Sequence, residues 1–178
     1  MGRRRQIKKT HLLYGEGADE KAFINYLADL YEEERVSVTA ENGNGGSAAR
    51  IIEDAKLFAK DSEKFDRKGL ILDGDTGIPS DAQERLKGWA PIFVMDPCLE
   101  AAVLEILNEP LPDGCKKGGG KGTCTTCKKR LHELFGEYRS TDKAAYHAIL
   151  DKERIDQFAK GDSELQKLIK RLLKFFEP

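Results

Sequence analysis

Four short apolar runs, each followed by a stretch of helical periodicity, constrain this chain more than any other feature of its sequence. Thr10-His11-Leu12-Leu13-Tyr14 predicts a buried strand, and Gly15-Glu16-Gly17 a turn after it. A helix of about 16 residues follows, with Asp19 as candidate N-cap and an apolar stripe of Ala22, Phe23, Tyr26, Leu27, Leu30 and Tyr31. Val36 to Ala40 predicts a second strand, and Asn42 to Gly46 a loop. Ser47 is placed to cap a helix that buries Ile51, Ile52, Ala55 and Phe58. Gly69 to Leu72 predicts a third strand running into Asp73-Gly74-Asp75. A polar helix around Ala82 to Lys87, a fourth strand from Pro91 to Met95 and a helix from Pro97 to Leu107 complete the series. Alternation with short joints predicts the α/β class, a mainly parallel sheet covered by helices.

The length of 178 residues fits one domain with an extension. Residues 108–126 are rich in Gly, Pro, Lys and Cys and read as a loop or small insertion. From Cys127 onward the pattern is helical, and Leu165, Leu168, Ile169, Leu172, Leu173 and Phe176 predict a helix that docks on the core. The expected organisation is a basic tail at 1–9, an α/β domain at 10–113, and a Gly/Cys-rich loop with a helical C-terminal extension at 114–178 that packs on the same domain. No apolar run approaches the ~20 residues that cross a membrane. No apolar stretch follows the basic start, so a cytoplasmic address is the default expectation.

Charge is unevenly distributed. Residues 1–10 carry five basic and no acidic side chains; residues 11–114 carry 22 acidic and 10 basic; residues 115–178 carry 15 basic and 9 acidic. An acidic middle between basic ends suits a cation site that must also hold a polyanion.

The acids of interest sit where a parallel sheet forms its binding crevice, after the carboxyl ends of strands. Glu16 follows the first strand, Asp73 and Asp75 the third, Asp96 and Glu100 the fourth. Asp73 and Asp75 are two apart, so continuing extended backbone puts both carboxylates on one side. Gly74 leaves room for a ligand there. Carboxylates brought close repel, and a hard divalent cation relieves that repulsion. Mg2+, or Mn2+ in its place, held by Glu16, Asp73 and Asp75 is the expected metal centre.

Leu12-Leu13-Tyr14-Gly15-Glu16-Gly17-Ala18-Asp19-Glu20, followed by an amphipathic helix, resembles the first motif of the Toprim (topoisomerase–primase) domain. More narrowly it resembles the Glu-Gly-x-x-Glu start of the RloB-like and overcoming-lysogenization-defect nucleases. Leu70-Ile71-Leu72-Asp73-Gly74-Asp75 resembles the Toprim Asp-x-Asp motif, and Pro97-Cys98-Leu99-Glu100 the Pro-Cys-Phe-Glu segment of RloB-like proteins. The resemblance covers about residues 10–110. It implies a Toprim-like (Rossmann-like) fold and metal-dependent hydrolysis of nucleic-acid phosphodiesters. It further implies a bacterial or phage-defence setting, in which an ATPase protein is a candidate partner. Asp73 and Asp75 would hold the metal, and Glu16 would be a further ligand or the general base. Many Toprim enzymes place a third acid shortly after Asp-x-Asp. Thr76-Gly77 stands here instead, which leaves Glu20, Asp96 and Glu100 as candidate supporting acids. A non-catalytic Toprim module that binds nucleic acid or serves a defence complex is the alternative.

Cys124-x-x-Cys127 has one half of a zinc-site spacing, with Cys115 upstream. His132 or Cys98 would supply the fourth ligand of a structural Zn2+; partly buried thiols are the competing reading. The run Lys116 to Thr123 lacks the glycine spacing of a phosphate loop, and Gly122 follows its Lys121. His11 and His147 have no evident partner in the sequence and read as packing or surface residues.

Overall fold

The computed structural model describes residues 8–60, 65–75, 77–115 and 124–178. The basic tail up to residue 7, residues 61–64, Thr76 and the glycine- and lysine-rich run 116–123 lie outside them.

The expected alternation is observed. Strand β1 (Lys9–Gly15) leads into helix α1 (Ala18–Tyr31), β2 (Val36–Asn42) into α2 (Ala48–Lys60), β3 (Arg67–Asp73) into α3 (Ser80–Leu86), and β4 (Ile92–Met95) into α4 (Leu99–Ile106). All pairings are parallel and the strand order is β2-β1-β3-β4. The chain therefore steps one way from β1 to β2, then crosses back past β1 to β3. That reversal makes the gap between the ends of β1 and β3 the topological switch point of the sheet, where open α/β sheets bind ligands.

Strand side chains alternate between two buried layers, as the two-residue period requires. Leu13, Ile71, Phe93 and Met95 pack toward α1 and α4. Tyr14, Leu70 and Leu72 pack on the other face with Ala48, Ile51, Ile52 and Ala55 of α2 and Leu86 of α3. Burial on both faces explains why the strands are near-continuous apolar runs.

The C-terminal segment forms α5 (Cys124–Phe135), α6 (Lys143–Ile149), α7 (Lys152–Phe158), α8 (Glu164–Leu173) and a closing 3-10 turn (Lys174–Phe176). Leu131, Phe135, Tyr146, Ile155, Ile169, Leu172 and Phe176 join the same buried layer as α1 and α4. This segment packs on the domain and supplies much of the cover for one face of the sheet. Tyr146 packs on Phe23 at 5.3 Å and on Tyr26 at 5.9 Å between ring centroids. Its hydroxyl donates to the Asp19 carbonyl at 3.2 Å, tying α6 to the start of α1. Among the described residues no helix is long and apolar enough to cross a membrane.

Three local expectations change. Gly17, not Asp19, is the N-cap of α1, and its N–H donates to the Glu20 carboxylate at 2.6 Å. His11 is buried and has a partner 164 residues away: Nδ1 lies 2.6 Å from the Phe175 carbonyl. A carbonyl only accepts, so Nδ1 carries the proton, and burial holds the ring's pKa below the ordinary value. His147 Nε2 lies 3.0 Å from Asp29 Oδ2, alongside the Lys143–Asp29 ion pair. Ser47 does cap α2, accepting from the Arg50 N–H at 3.4 Å.

Candidate metal centre

Glu16 and Asp73 meet across the switch point. β1 and β3 are neighbours in register, with Gly15 opposite Ile71, so the residues that follow each strand emerge side by side. The Asp73 N–H donates to Glu16 Oε2 at 3.3 Å. Gly74 carries the chain close under the turn after β4: its N–H donates to the Met95 and Pro97 carbonyls at 2.8 and 3.0 Å. A Cβ at Gly74 would lie 3.1 Å from Asp96 Cα and 3.2 Å from the Met95 oxygen. Asp75 is brought back beside Asp73, and one ligand atom each from Asp73, Asp75 and Cys124 lie within 4.8 Å of one another.

Behind this edge lie two more acids. Glu20 and Glu100 are buried, at 5% and 2% exposure. Glu20 is held by the Gly17 N–H. Glu100 sits in the first turn of α4, and among the described residues neither of its carboxylate oxygens has a hydrogen-bond partner. Lys128 Nζ of α5 stands 3.6 Å from Glu100 Oε1. Asp73 is anchored by α4 as well, its Oδ1 accepting from the Leu99 N–H at 2.9 Å.

Electrostatics follow from this crowding. Burial, then the charges of Glu20 and Glu100, raise the Asp73 carboxyl from 3.8 to about 8 despite the Leu99 hydrogen bond. Burial raises Glu20 to about 7, with Glu100 adding to the effect. Glu16 is raised as well, by burial first, with the Asp73 N–H opposing and Asp75 adding. Burial alone would lower the Lys128 pKa, but the attraction of Glu100, Asp73, Glu20 and Asp19 outweighs it and raises the ammonium. Burial raises the Cys124 thiol to about 12.

Five carboxyl groups thus share a half-buried pocket with Lys128 as the nearby cation. Such a set stays protonated or recruits positive charge. The oxygens fit a hard divalent cation, and the buried Glu100 carboxylate, ion-paired to Lys128 but without a hydrogen bond among the described residues, is the feature that protein packing alone leaves unexplained.

Of the sequence-expected residues, Asp73 and Asp75 bring ligand atoms together, with Cys124 as the third member; Glu16 stands at the same edge on the Asp73 N–H, and Glu20 and Glu100 lie behind them. Asp96 does not join them. It is exposed and lines a separate hollow of about 250 Å³ with Val94, Glu164, Leu165, Lys167, Leu168 and Arg171. The reason is local: the β4 end turns at Pro97, so Asp96 faces α8 while Glu100, one helical turn on, faces inward.

The expected Cys115, Cys124, Cys127 and His132 set is not assembled as such. Cys115 and Cys127 form a disulfide. Cys124 hydrogen-bonds Cys98 and the Pro97 carbonyl. His132 is exposed, stacking toward Phe135 at 6.4 Å. It lies five positions past Cys127 on a helix that already begins at Cys124, so it turns away from that thiol's face. Cys124 and Lys128 escape sequence reasoning as neighbours of the acids. They stand on α5, after a loop of irregular composition, and their approach depends on how that helix docks on α4.

No protein-family model, curated protein or solved structure matches the chain. The class the observations define is an α/β protein with an all-parallel four-stranded sheet and an acidic pocket at its switch point.

Proposed function

We propose that this chain is a metal-dependent nuclease of Toprim type, similar to the RloB-like and overcoming-lysogenization-defect nucleases, that hydrolyses nucleic-acid phosphodiester bonds. The observation that carries the reading is the gathering of Asp73 and Asp75, from Asp-Gly-Asp, at the β1–β3 gap, where the Glu16 carboxylate of the Gly-Glu-Gly turn accepts from the Asp73 N–H. Motifs 57 residues apart in sequence thereby share one edge.

Asp73, Asp75 and Glu16 would hold Mg2+ or Mn2+. Bound there, such an ion would supply Lewis-acid polarisation of a phosphoryl oxygen and a water acidic enough to act near neutral pH. The protein's part is to aim and tune the carboxylates. The Leu99 N–H fixes Asp73, and the Asp73 N–H fixes Glu16. Glu16, half-exposed and with a raised pKa, is the group suited to accept a proton from the attacking water. Glu100 and Glu20 supply negative charge from behind, balanced in part by Lys128. Lysines and arginines of the basic tail and C-terminal helices would hold the phosphate backbone without reading sequence.

Incubation of the purified chain with single- and double-stranded DNA and RNA tests the proposal. Cleavage is expected with Mg2+ or Mn2+, none in chelator, and loss by at least about a hundredfold in Asp73→Ala, a ligand whose removal disables the cation site. Cleavage that survives in folded Asp73→Ala sinks the reading. Divalent-independent binding without cleavage points instead to a non-catalytic module, a reading that Thr76-Gly77 in place of a third acid favours.

A further inference from the structure

All four cysteines of the chain, Cys98, Cys115, Cys124 and Cys127, are at 5% exposure or less and lie in the same hydrophobic core layer. They come from three separate places: the N-cap of α4, the loop after it, and the first turn of α5. Cys115 is joined to Cys127, and Cys124 is hydrogen-bonded to Cys98. Cys124 and Cys127 are three residues apart on α5, so one face of that helix carries a sulfur of each pair.

The disulfide uses two of these sulfurs and leaves two buried thiols beside it without a function. A soft cation with tetrahedral preference uses all four. Cys124 lies on the border of the two donor sets, near Asp73 and Asp75. Donor chemistry sorts it: carboxylate oxygens suit a hard ion, and thiolate sulfur suits a soft one. The exposed His132 is no part of the sulfur cluster.

We propose that Cys98, Cys115, Cys124 and Cys127, all reduced, hold one structural Zn2+ ion, and that this ion pins the start of α4 beneath the acidic pocket. Cys98 precedes Leu99, whose N–H binds Asp73 Oδ1 at 2.9 Å. The sulfur site therefore supports the position of Asp73 through one peptide unit. From the disulfide state, a dithiol supplies two electrons and two protons as it becomes a disulfide, or a phosphine supplies the electrons and water the protons as phosphine oxide forms; either gives four thiols, and zinc binding then displaces four protons.

The test uses the full chain, purified with a phosphine reductant present. Bound metal is measured by elemental mass spectrometry, and thiols are titrated after unfolding in chelator. One zinc and four thiols per chain are expected, and exchange for Co2+ should give strong thiolate-to-metal charge-transfer absorption. His132→Ala should keep the zinc. Cys98→Ser should weaken it by more than the roughly 10–100-fold typical of losing a supporting contact. Should Cys98→Ser not fold, the wild-type stoichiometry and His132→Ala decide without it. A reduced chain that carries no zinc and takes up none overturns the proposal, as does zinc lost in His132→Ala and retained in Cys98→Ser. None of these readouts involves nucleic-acid cleavage, so failure of the nuclease reading leaves them unaffected.

Discussion

Asp73→Asn removes a charge from the most crowded point of the pocket while keeping the side chain's shape. An asparagine oxygen still accepts from the Leu99 N–H, so the anchor that fixes position 73 is preserved. The Asp73 pKa rises from 3.8 to about 8 on folding. A proton is then bound more tightly in the folded chain. The stability this contributes is fully present below the unfolded pKa, near 4, and is lost as pH climbs through about 8. At about 1.4 kcal/mol per pH unit, the full interval amounts to ~6 kcal/mol. Relaxation of the half-open pocket and sharing of the proton with Glu20 reduce that, so about 2–4 kcal/mol is expected. In chelator at pH 9, Asp73→Asn should therefore melt higher than wild type by roughly 5–15 °C. At pH 4 the two should nearly coincide. Mg2+ or Mn2+ should restore wild type at high pH, replacing the missing protons, and leave Asp73→Asn almost unchanged. Thermal denaturation followed by circular dichroism across pH 4–9, with and without divalent cation, gives all four curves. Wild-type stability that is flat or rising from pH 5 to 8 in chelator, or Asp73→Asn melting lower at pH 9, refutes the buried-charge argument.

Two further outcomes are expected. Gly74→Ala pushes a methyl group against backbone at 3.1–3.2 Å on the Asp96 side; it should cost ~1–3 kcal/mol by denaturant titration and weaken divalent binding, and wild-type values in both would show the close approach to be unimportant. Removal of residues 1–7, which carry Arg3, Arg4 and Arg5, should lower the dependence of log affinity for duplex DNA on log salt by about 0.9 for each phosphate that the tail neutralises; an unchanged slope would place the polyanion elsewhere.

Much of the frame was legible before any fold was known, because it is written in local periods. Two-residue and 3.6-residue periodicity locates the strands and helices to within a few residues. A parallel sheet with acids at strand ends follows from that alternation. Glu16, Asp73 and Asp75 stand out because the turns that follow parallel strands all open at the same sheet edge. Ser47 could be recognised as a cap because the contact spans three residues.

What resisted the sequence shares one physical property: it depends on contacts between residues far apart in the chain. Nothing local distinguishes Asp96 from Glu100, yet the turn at Pro97 exposes one and buries the other without a hydrogen bond among the described residues. The C-terminal helices read as packed on the domain, but amphipathicity tells only that a face is buried, not against what. Only packing shows that Tyr146 and Phe176 complete the layer begun by Phe23 and Leu104. The places of β2 and β4 at the two edges of the sheet are likewise a decision of the whole chain. So are the pairings of Cys98 with Cys124 and of Cys115 with Cys127. The chemistry available to this protein was carried by residue type and spacing, whereas which groups share a pocket, and how strongly they shift one another's charge, was decided by tertiary structure, since Coulomb and desolvation energies depend on distance and burial rather than on sequence separation.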